Sequence, residues 1–432
     1  MARVAVVGAG LSGLVAAREL VAAGHEVVVL EGSARTGGEL ARAVVAGVAL
    51  DVGAEAFLVT RPEAAELTEA LGLTLTHPTA ARPAVVVDGQ LVPLPPRTML
   101  GVPASLSAAR RVLGPAGVAR AALDLVLPAR DTTGLGVGQV VRRRLGRRVA
   151  NRLVDPLLSG VYAGTAAELD ARSVAPALDV RGSLVRAARR AVPQRPSGTP
   201  VFGAPVEGVA ALVETLARDL DVRTSRTVTA LHDSGVLTSV GLVEADAVVL
   251  AVRGRNAARL LGRAEPVADY ASVAVVTLAL AKASAGRLAD GDLSGWLVPP
   301  GAPLLHKGLT NSSAKWAHVG AAAPDLVLVR ASVGRYGDDD GLRRSDDELA
   351  GVVAAEVAAL AGARSRVVAQ AVTRWGGALP QYTVGHPERV AALRAALPPR
   401  VVVCGAAYDG VGIPAVIASA RRAAADVGRW VA

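Results

Sequence analysis

The residues of this chain that could hold a reactive group are glycines. Gly8, Gly10 and Gly13 are spaced G-x-G-x-x-G, and Glu31 follows. That spacing suits a dinucleotide. Gly8 permits a tight turn, Gly10 lets the backbone approach a pyrophosphate, and Gly13 lets a helix pack closely on strands. Unpaired N–H groups at the start of that helix favour phosphate. Glu31 stands at the offset expected of an acid that accepts bonds from ribose hydroxyls. Other chemistry is thinly provided for. The six histidines are scattered without Ser–His–Asp or metal-ligand spacing, and His306 and His386 read as structural. The single Cys404 excludes disulfides within the chain and cysteine-based metal clusters. No metal is expected and no side chain is singled out as catalytic, so a bound cofactor must carry the reaction.

The elements that must position these glycines are a strand over Val4 to Val7, a helix from Leu11 to Ala22 and a strand over Glu26 to Leu30. A second glycine turn, Arg35 with Gly37 and Gly38, precedes two short strands, Ala41 to Val45 and Val48 to Val52. Gly53 and Ala54 then allow another close backbone approach, just ahead of Phe57 and Arg61. Three such approaches suggest a large, extended ligand such as FAD. The far end repeats the style of the beginning: Val401 to Val403 is a buried strand, and a glycine turn through Gly410 and Gly412 leads into a helix. No second strand–glycine–helix unit with its own acid exists, since the Gly134, Gly136 and Gly138 run follows no apolar strand. Electrons are therefore expected to enter from the substrate and leave to a small acceptor, oxygen being the simplest.

Between these ends, a helix is expected over Pro62 to Leu71, and Asp88-Gly89 marks a hairpin turn. From Thr98 to Arg190 the pattern is helical and basic. Val141, Leu145, Val149 and Leu153 recur every four residues, leaving Arg142, Arg143, Arg144, Arg147, Arg148 and Arg152 for the surface. That surface reads as a solvated face in preference to a lipid or partner contact. Ala191 to Gly203 is linker-like. A helix over Val206 to Arg218 and strands near Val222 to Leu231, Val236 to Val240 and Ala247 to Val252 follow. Further strands are expected over Val273 to Leu280, Gly295 to Val298, Leu304 to Leu309 and Leu326 to Val333. Ser345 and Glu348 have the spacing of a capping box. Asp338 to Asp340 reads as a solvated loop.

Apolar residues make up 51% of the 432 positions and aromatics 3%, so the core is mostly Ala, Val and Leu. The net charge of +9 suits an anionic partner, either a polycarboxylate substrate or an acidic membrane surface. Nucleic acid is not expected, because no nucleic-acid module appears. The first strand leaves no room for a signal peptide, and no apolar run approaches the ~18 residues that span a bilayer. A soluble cytoplasmic protein is expected, with peripheral membrane contact open and the oligomeric state unspecified.

The opening unit, the RTGG turn and the C-terminal GxGIP turn together resemble the flavin-containing amine oxidase superfamily. Within it the chain is similar to the oxygen-dependent protoporphyrinogen and coproporphyrinogen III oxidases. The matching stretches are DVGAEAFLVTRPE (Asp51 to Glu63), PLLSGVYAGTAAEL (Pro156 to Leu169), SSAKW (Ser312 to Trp316), RWGGALPQYTVGH (Arg374 to His386) and GAAYDGVGIPAVIAS (Gly405 to Ser419). The resemblance implies an α/β fold: a Rossmann-like FAD-binding domain built from segments 1–80, 197–257 and 398–432. A mixed-sheet substrate domain would span 81–97 and 258–397, with an inserted helical segment, 98–196, flanking the substrate cavity. It implies that Gly8, Gly10, Ser12, Gly13, Glu31, Arg35, Gly38, Gly53, Ala54 and Glu55 contact FAD, and that Val228 touches its adenosine end. Trp375, Gly412, Ile413 and Pro414 would lie near the isoalloxazine. Arg61 would pair with a substrate propionate, Gly160 would offer a carbonyl to pyrrole N–H groups, and Phe57 and Ile413 would wall the pocket. Two places depart from the family pattern: Glu39 closes the glycine turn where an aromatic or basic residue is usual, and the strand that commonly ends in Ala-Pro here ends Ala251-Val252-Arg253.

The implied reaction is oxidation of a porphyrinogen by O₂ in haem biosynthesis, with release of hydrogen peroxide. Four propionates suit so arginine-rich a chain, which favours coproporphyrinogen III over protoporphyrinogen IX. The alternatives are a flavin amine oxidase or desaturase of the same fold, and a flavin- or porphyrin-binding protein without turnover. The resemblance also leaves open contact with a downstream enzyme of the haem pathway.

Overall fold

The computed structural model describes residues 1–129, 131–176, 182–192, 199–364 and 366–431. Two sheets dominate it. The first is parallel and five-stranded, in the order Asp221–Arg223, Glu26–Leu30, Arg3–Val7, Ala247–Leu250, Val401–Val403. Apart from the exposed edge strand Asp221–Arg223, its strands are nearly uninterrupted apolar runs because both faces are covered. Ala5, Val7, Leu30, Val248 and Leu250 point into one core, and Val4, Val6, Val29, Ala247 and Val249 into the other. The helices Leu11–Ala22, Ala210–Arg218 and Ile413–Val431 fill the second core. The chain therefore closes this layer only from Val401 onward.

The second sheet is mixed and seven-stranded, in the order Val367–Gln381, Asp269–Ala281, Leu326–Val333, His306–Asn311, Leu293–Leu297, Arg82–Val87, Gln90–Pro93. One face rests on the helix Asp346–Ala361 through Leu349, Val353 and Val357. Ser345 and Glu348 form the expected capping box at that helix's start. In the hairpin, Asp88 (φ 51°) and Gly89 (φ 79°) both take the left-handed conformation that a two-residue turn of this kind demands. The fifteen-residue strand Val367–Gln381 has no counterpart in the sequence expectations. Gly376, Gly377 and Pro380 interrupt its pattern, and the structure accommodates them because this strand is an edge of the sheet.

The helical region corrects two expectations. Val141, Leu145, Val149 and Leu153 are all buried, but not along one helix: Gly146 (φ 89°) breaks it between Val137–Leu145 and Arg147–Val149. A π-helical stretch, Ala150–Val154, then leads into Asp155–Tyr162. The arginines do not all spread over the surface. Arg144 is buried, its Nε donating to Asp124 Oδ1 at 2.5 Å and its other nitrogens to the carbonyls of Asp124, Leu127 and Pro128. Asp124 Oδ2 also accepts from Ser183 Oγ and the Val185 N–H, so one buried ion pair ties together three helical pieces. The linker-like segment lies partly outside the described residues, at 193–198. The helix expected from Val206 begins at Ala210, where the distant Asp51 carboxylate accepts the Val209 and Ala210 N–H groups.

Candidate active site

The glycines of the opening unit follow the strand Arg3–Val7 of the parallel sheet, beside the end of Ala247–Leu250. Gly8 (φ 105°) lies against Ala251, and a Cβ on Gly13 would stand 1.9 Å from the Gly8 carbonyl oxygen. Gly10 differs: nothing lies within 4 Å of where its Cβ would point. It begins the helix Leu11–Ala22, which has no side-chain cap and no acid in its first turn. Those N–H groups are thus free to meet an anion. Glu31 accepts from the Ala9 N–H (2.9 Å) and the Ser33 N–H (2.8 Å), which fixes the turn and aims the carboxylate beside it.

Three further pieces close around this turn. Gly37 bonds back to the Ala9 carbonyl at 2.8 Å, and Gly38 packs against Gly10. Gly53 approaches so closely that a Cβ would stand 1.9 Å from the Glu39 carbonyl oxygen. Trp375 donates its indole N–H to Val52 O at 2.8 Å, while the Arg35 guanidinium stands 5.4 Å from its ring centre. From the far end of the chain, Gly405 (φ 113°) presses against Ser12, and exposed Gly412 precedes the helix Ile413–Val431. Val228 is buried beside Leu30, and Ile413 and Pro414 are buried at their helix's start. An open cradle at Gly10, an uncapped helix start and a fixed acid at Glu31 together fit a dinucleotide.

Two charged arrangements in this cleft escaped sequence reasoning. Glu55 is ion-paired with both Lys315 and Arg330, and Arg330 also donates to Gly53 O at 2.6 Å. Burial alone would raise the Glu55 carboxyl, but the two cations hold it down at about 2. The SSAKW stretch and the strand Leu326–Val333 thereby hold the Gly53 turn in place. The second arrangement joins the two departures from the family pattern. Arg253 Nη2 and Nε lie 3.1 and 3.3 Å from Glu39 Oε1, and its Nη1 donates to Gly376 O at 2.7 Å. Residues 214 positions apart thus bridge the glycine turn, the end of Ala247–Leu250 and the strand bearing Trp375.

On the substrate side, Gly160 is exposed on the helix Asp155–Tyr162, and its α-carbon faces Leu297 of the mixed sheet. Phe57 is 3% exposed and packs in the same core as Ile413 and Leu14. Arg61 begins the helix Pro62–Ala70, exposed, with Nη2 2.9 Å from Glu63 Oε1. Ala54 is exposed beside the Gly53 turn. His306 and His386 are engaged in packing: His306 is buried between Trp296 Nε1 (2.9 Å) and Glu356 Oε2 (2.6 Å), and His386 stacks on Tyr382. Among the described residues no group of three or more His, Cys, Asp and Glu gathers, and no helix is long and apolar enough to cross a membrane.

Glycines from both chain ends, gathered beside an uncapped helix start and a fixed acid, define a dinucleotide-binding α/β protein. The profile of the flavin containing amine oxidoreductase family matches residues 11–428, and the chain belongs to that family. Within it, the chain is 38% identical to a coproporphyrinogen III oxidase of Mycobacterium tuberculosis over 441 residues, covering 98% of this chain and 96% of the relative. It is 30% identical to a coproporphyrinogen III oxidase of Bacillus subtilis, covering 98% and 97%. Among solved structures, a protein of Exiguobacterium sp. 255-15 provisionally named a protoporphyrinogen oxidase superposes with a TM-score of 0.86 at 27% identity, covering 99% of each chain.

Proposed function

We propose that this chain is an FAD-dependent coproporphyrinogen III oxidase, converting coproporphyrinogen III and three O₂ to coproporphyrin III and three H₂O₂ in haem biosynthesis. The likeness to coproporphyrinogen III oxidases along 98% of the chain carries the reading. Bound FAD would supply two-electron oxidation with return of the electrons to O₂. The chain's residues bind and orient. Gly8, Gly10, Ser12 and Gly13 hold the pyrophosphate, Glu31 the ribose, and the Val228 backbone the adenosine. Arg35, Gly38, Gly53 and Ala54 line the middle of the site, and Glu55 fixes that turn through Lys315 and Arg330. Trp375, Gly412, Ile413 and Pro414 border the flavin ring, with the helix start after Gly412 favouring negative charge there. The Gly160 carbonyl receives pyrrole N–H groups, and Phe57 and Ile413 keep the pocket apolar. The segment boundaries given above serve as the domain division. For peripheral membrane contact we assign the exposed Leu123 and Val126 tip beside the basic helix Val137–Leu145, and product would pass to a downstream haem-pathway enzyme.

The test is direct. Purified protein reconstituted with FAD should turn coproporphyrinogen III fluorescent in air with stoichiometric peroxide, at a higher kcat/KM than protoporphyrinogen IX. A preference for protoporphyrinogen IX overturns the choice of substrate. Oxidation of a polyamine with neither porphyrinogen touched overturns the reading.

A further inference from the structure

Among the described residues three cations have less than a tenth of their surface exposed: Arg144, Arg330 and Lys307. The first two are ion-paired, with Asp124 and Glu55. Lys307, at 1% the most buried of the three, has no carboxylate within salt-bridge distance; its ammonium donates to the Gly334 carbonyl at 2.8 Å. A buried charge with a single neutral acceptor is costly, and an ammonium carries three donors. The local backbone explains how it arrives there. His306 pairs with Val333 and Gly308 with Ser332, so Lys307 is the extra residue of a bulge. Bulges re-aim side chains: His306 turns to Glu356 on the covering helix, and Lys307 turns to Gly334.

The next residue along is a second cation. Arg335 is half-buried, donating from Nε to Ser159 Oγ (3.2 Å) and from Nη2 to Val298 O (3.1 Å), again without a carboxylate in salt-bridge distance. Ser159 is the neighbour of exposed Gly160. Burial and then the Arg335 charge pull the Lys307 ammonium down to about 7; burial also lowers Arg335, against the opposing charge of Asp338, which lies beyond salt-bridge distance. Arg61, by contrast, is exposed and already paired with Glu63.

We propose that Lys307 and Arg335 form a carboxylate subsite beside Gly160, where a propionate arm of the substrate docks on the guanidinium with the buried ammonium behind it. This rests on the porphyrinogen reading and adds to it the residues that read the substrate's acid groups. An anionic arm supplies the missing counter-charge, and an ester or alkyl arm of the same size does not.

The test is equilibrium binding of coproporphyrin III, followed by its absorbance, to the FAD-loaded protein. Lys307→Met, Arg335→Gln and Arg335→Lys are compared with wild type, and coproporphyrin tetramethyl ester is titrated in the same detergent. The free acid should bind Lys307→Met and Arg335→Gln about tenfold or more weakly, and Arg335→Lys should recover most of the loss. Ester affinity should be unchanged throughout. FAD content should hold, and Lys307→Met should unfold no earlier than wild type, since it removes a buried unpaired charge. Wild-type affinity for the free acid in both Lys307→Met and Arg335→Gln overturns the subsite. Equal weakening of acid and ester also overturns it, showing a role in shape. Wild type that binds neither porphyrin and oxidises no porphyrinogen overturns the reading beneath it instead.

Discussion

The two sides of the cleft are built from different material. The side formed by the parallel sheet is mostly backbone: Gly8, Gly13, Gly37 and Gly53 let main chains touch where any side chain would collide. The side formed by the mixed sheet and the helical region is held by charged side chains whose partners lie 20 to 275 positions away. Arg144 reaches Asp124, Arg330 reaches Glu55, and Arg335 reaches Ser159. The first kind of wall is intolerant of added atoms; the second is intolerant of lost charge. The difference can be broken or sharpened by substitution.

The largest effect is expected where the charge is deepest. Arg144→Ala leaves Asp124, with no exposed side-chain surface, as an uncompensated buried carboxylate. Removing one member of such a pair costs about 3–5 kcal/mol. Thermal and denaturant unfolding should show this as a lowered midpoint. A loss under 1 kcal/mol would mean that the helical region does not depend on this pair.

Next come the glycines, where two neighbours should behave oppositely. Gly13→Ala places a Cβ 1.9 Å from the Gly8 oxygen, an overlap only a backbone shift can relieve, and should cost about 3 kcal/mol or more. Gly10→Ala meets no protein atom. The FAD-free protein should keep its stability or gain slightly, while FAD affinity falls by about tenfold or more. Unfolding of apoprotein and FAD titration separate the two. Stability lost at Gly10 with FAD retained would show that its open space is not a ligand's space.

The same contrast explains what could be read from the chain. Gly8, Gly10, Gly13 and Glu31 announce a dinucleotide because their functions depend on local spacing, and the two-faced parallel strands are legible as apolar runs. The Ser345 cap and the Asp88-Gly89 turn are likewise local. The ion pairs are not, because nothing near Arg144 points to Asp124 and nothing near Glu55 points to Arg330. Helical periodicity correctly placed Val141 to Leu153 in the core yet missed the break at Gly146, since the same face stays buried on both sides of it. Val367–Gln381 was hidden by glycines and a proline that only an edge strand tolerates.

Asp51 belongs to both kinds of wall, a carboxylate capping a helix that packs on the glycine turns. Burial pushes its carboxyl up to about 6 despite the Val209 and Ala210 N–H bonds and the nearby Arg330. The folded protein then binds this proton more tightly than the unfolded chain, whose value is 3.8. Stability from this group therefore falls as pH rises from about 4 through 6, by up to about 3 kcal/mol. Glu55 acts in the opposite sense and lower down, its contribution being lost only as pH falls from 4.5 towards 2. Asp51→Asn should flatten the decline between pH 4 and 7 in unfolding free energy. An unaltered slope would place that titration elsewhere.

The smallest effect tests whether the two walls are coupled across the cleft. Glu39 and Arg253 are 44% and 39% exposed at their side chains, so without FAD the pair should be worth only about 0.5–1 kcal/mol. Arg253 also holds Gly376 O, next to Trp375, so the pair stands at the rim of the proposed flavin site. A ligand there removes water from the pair and strengthens its attraction. A double-mutant cycle with Glu39→Gln, Arg253→Gln and the double variant should give a coupling energy that is larger with FAD than without. FAD affinity should drop more in either single variant than additivity with the double allows. Each single change leaves one charge beside the cofactor without its partner, and the double change leaves none. Equal coupling in apo and FAD-loaded protein would mean that the pair links two pieces of backbone and takes no part in holding the cofactor.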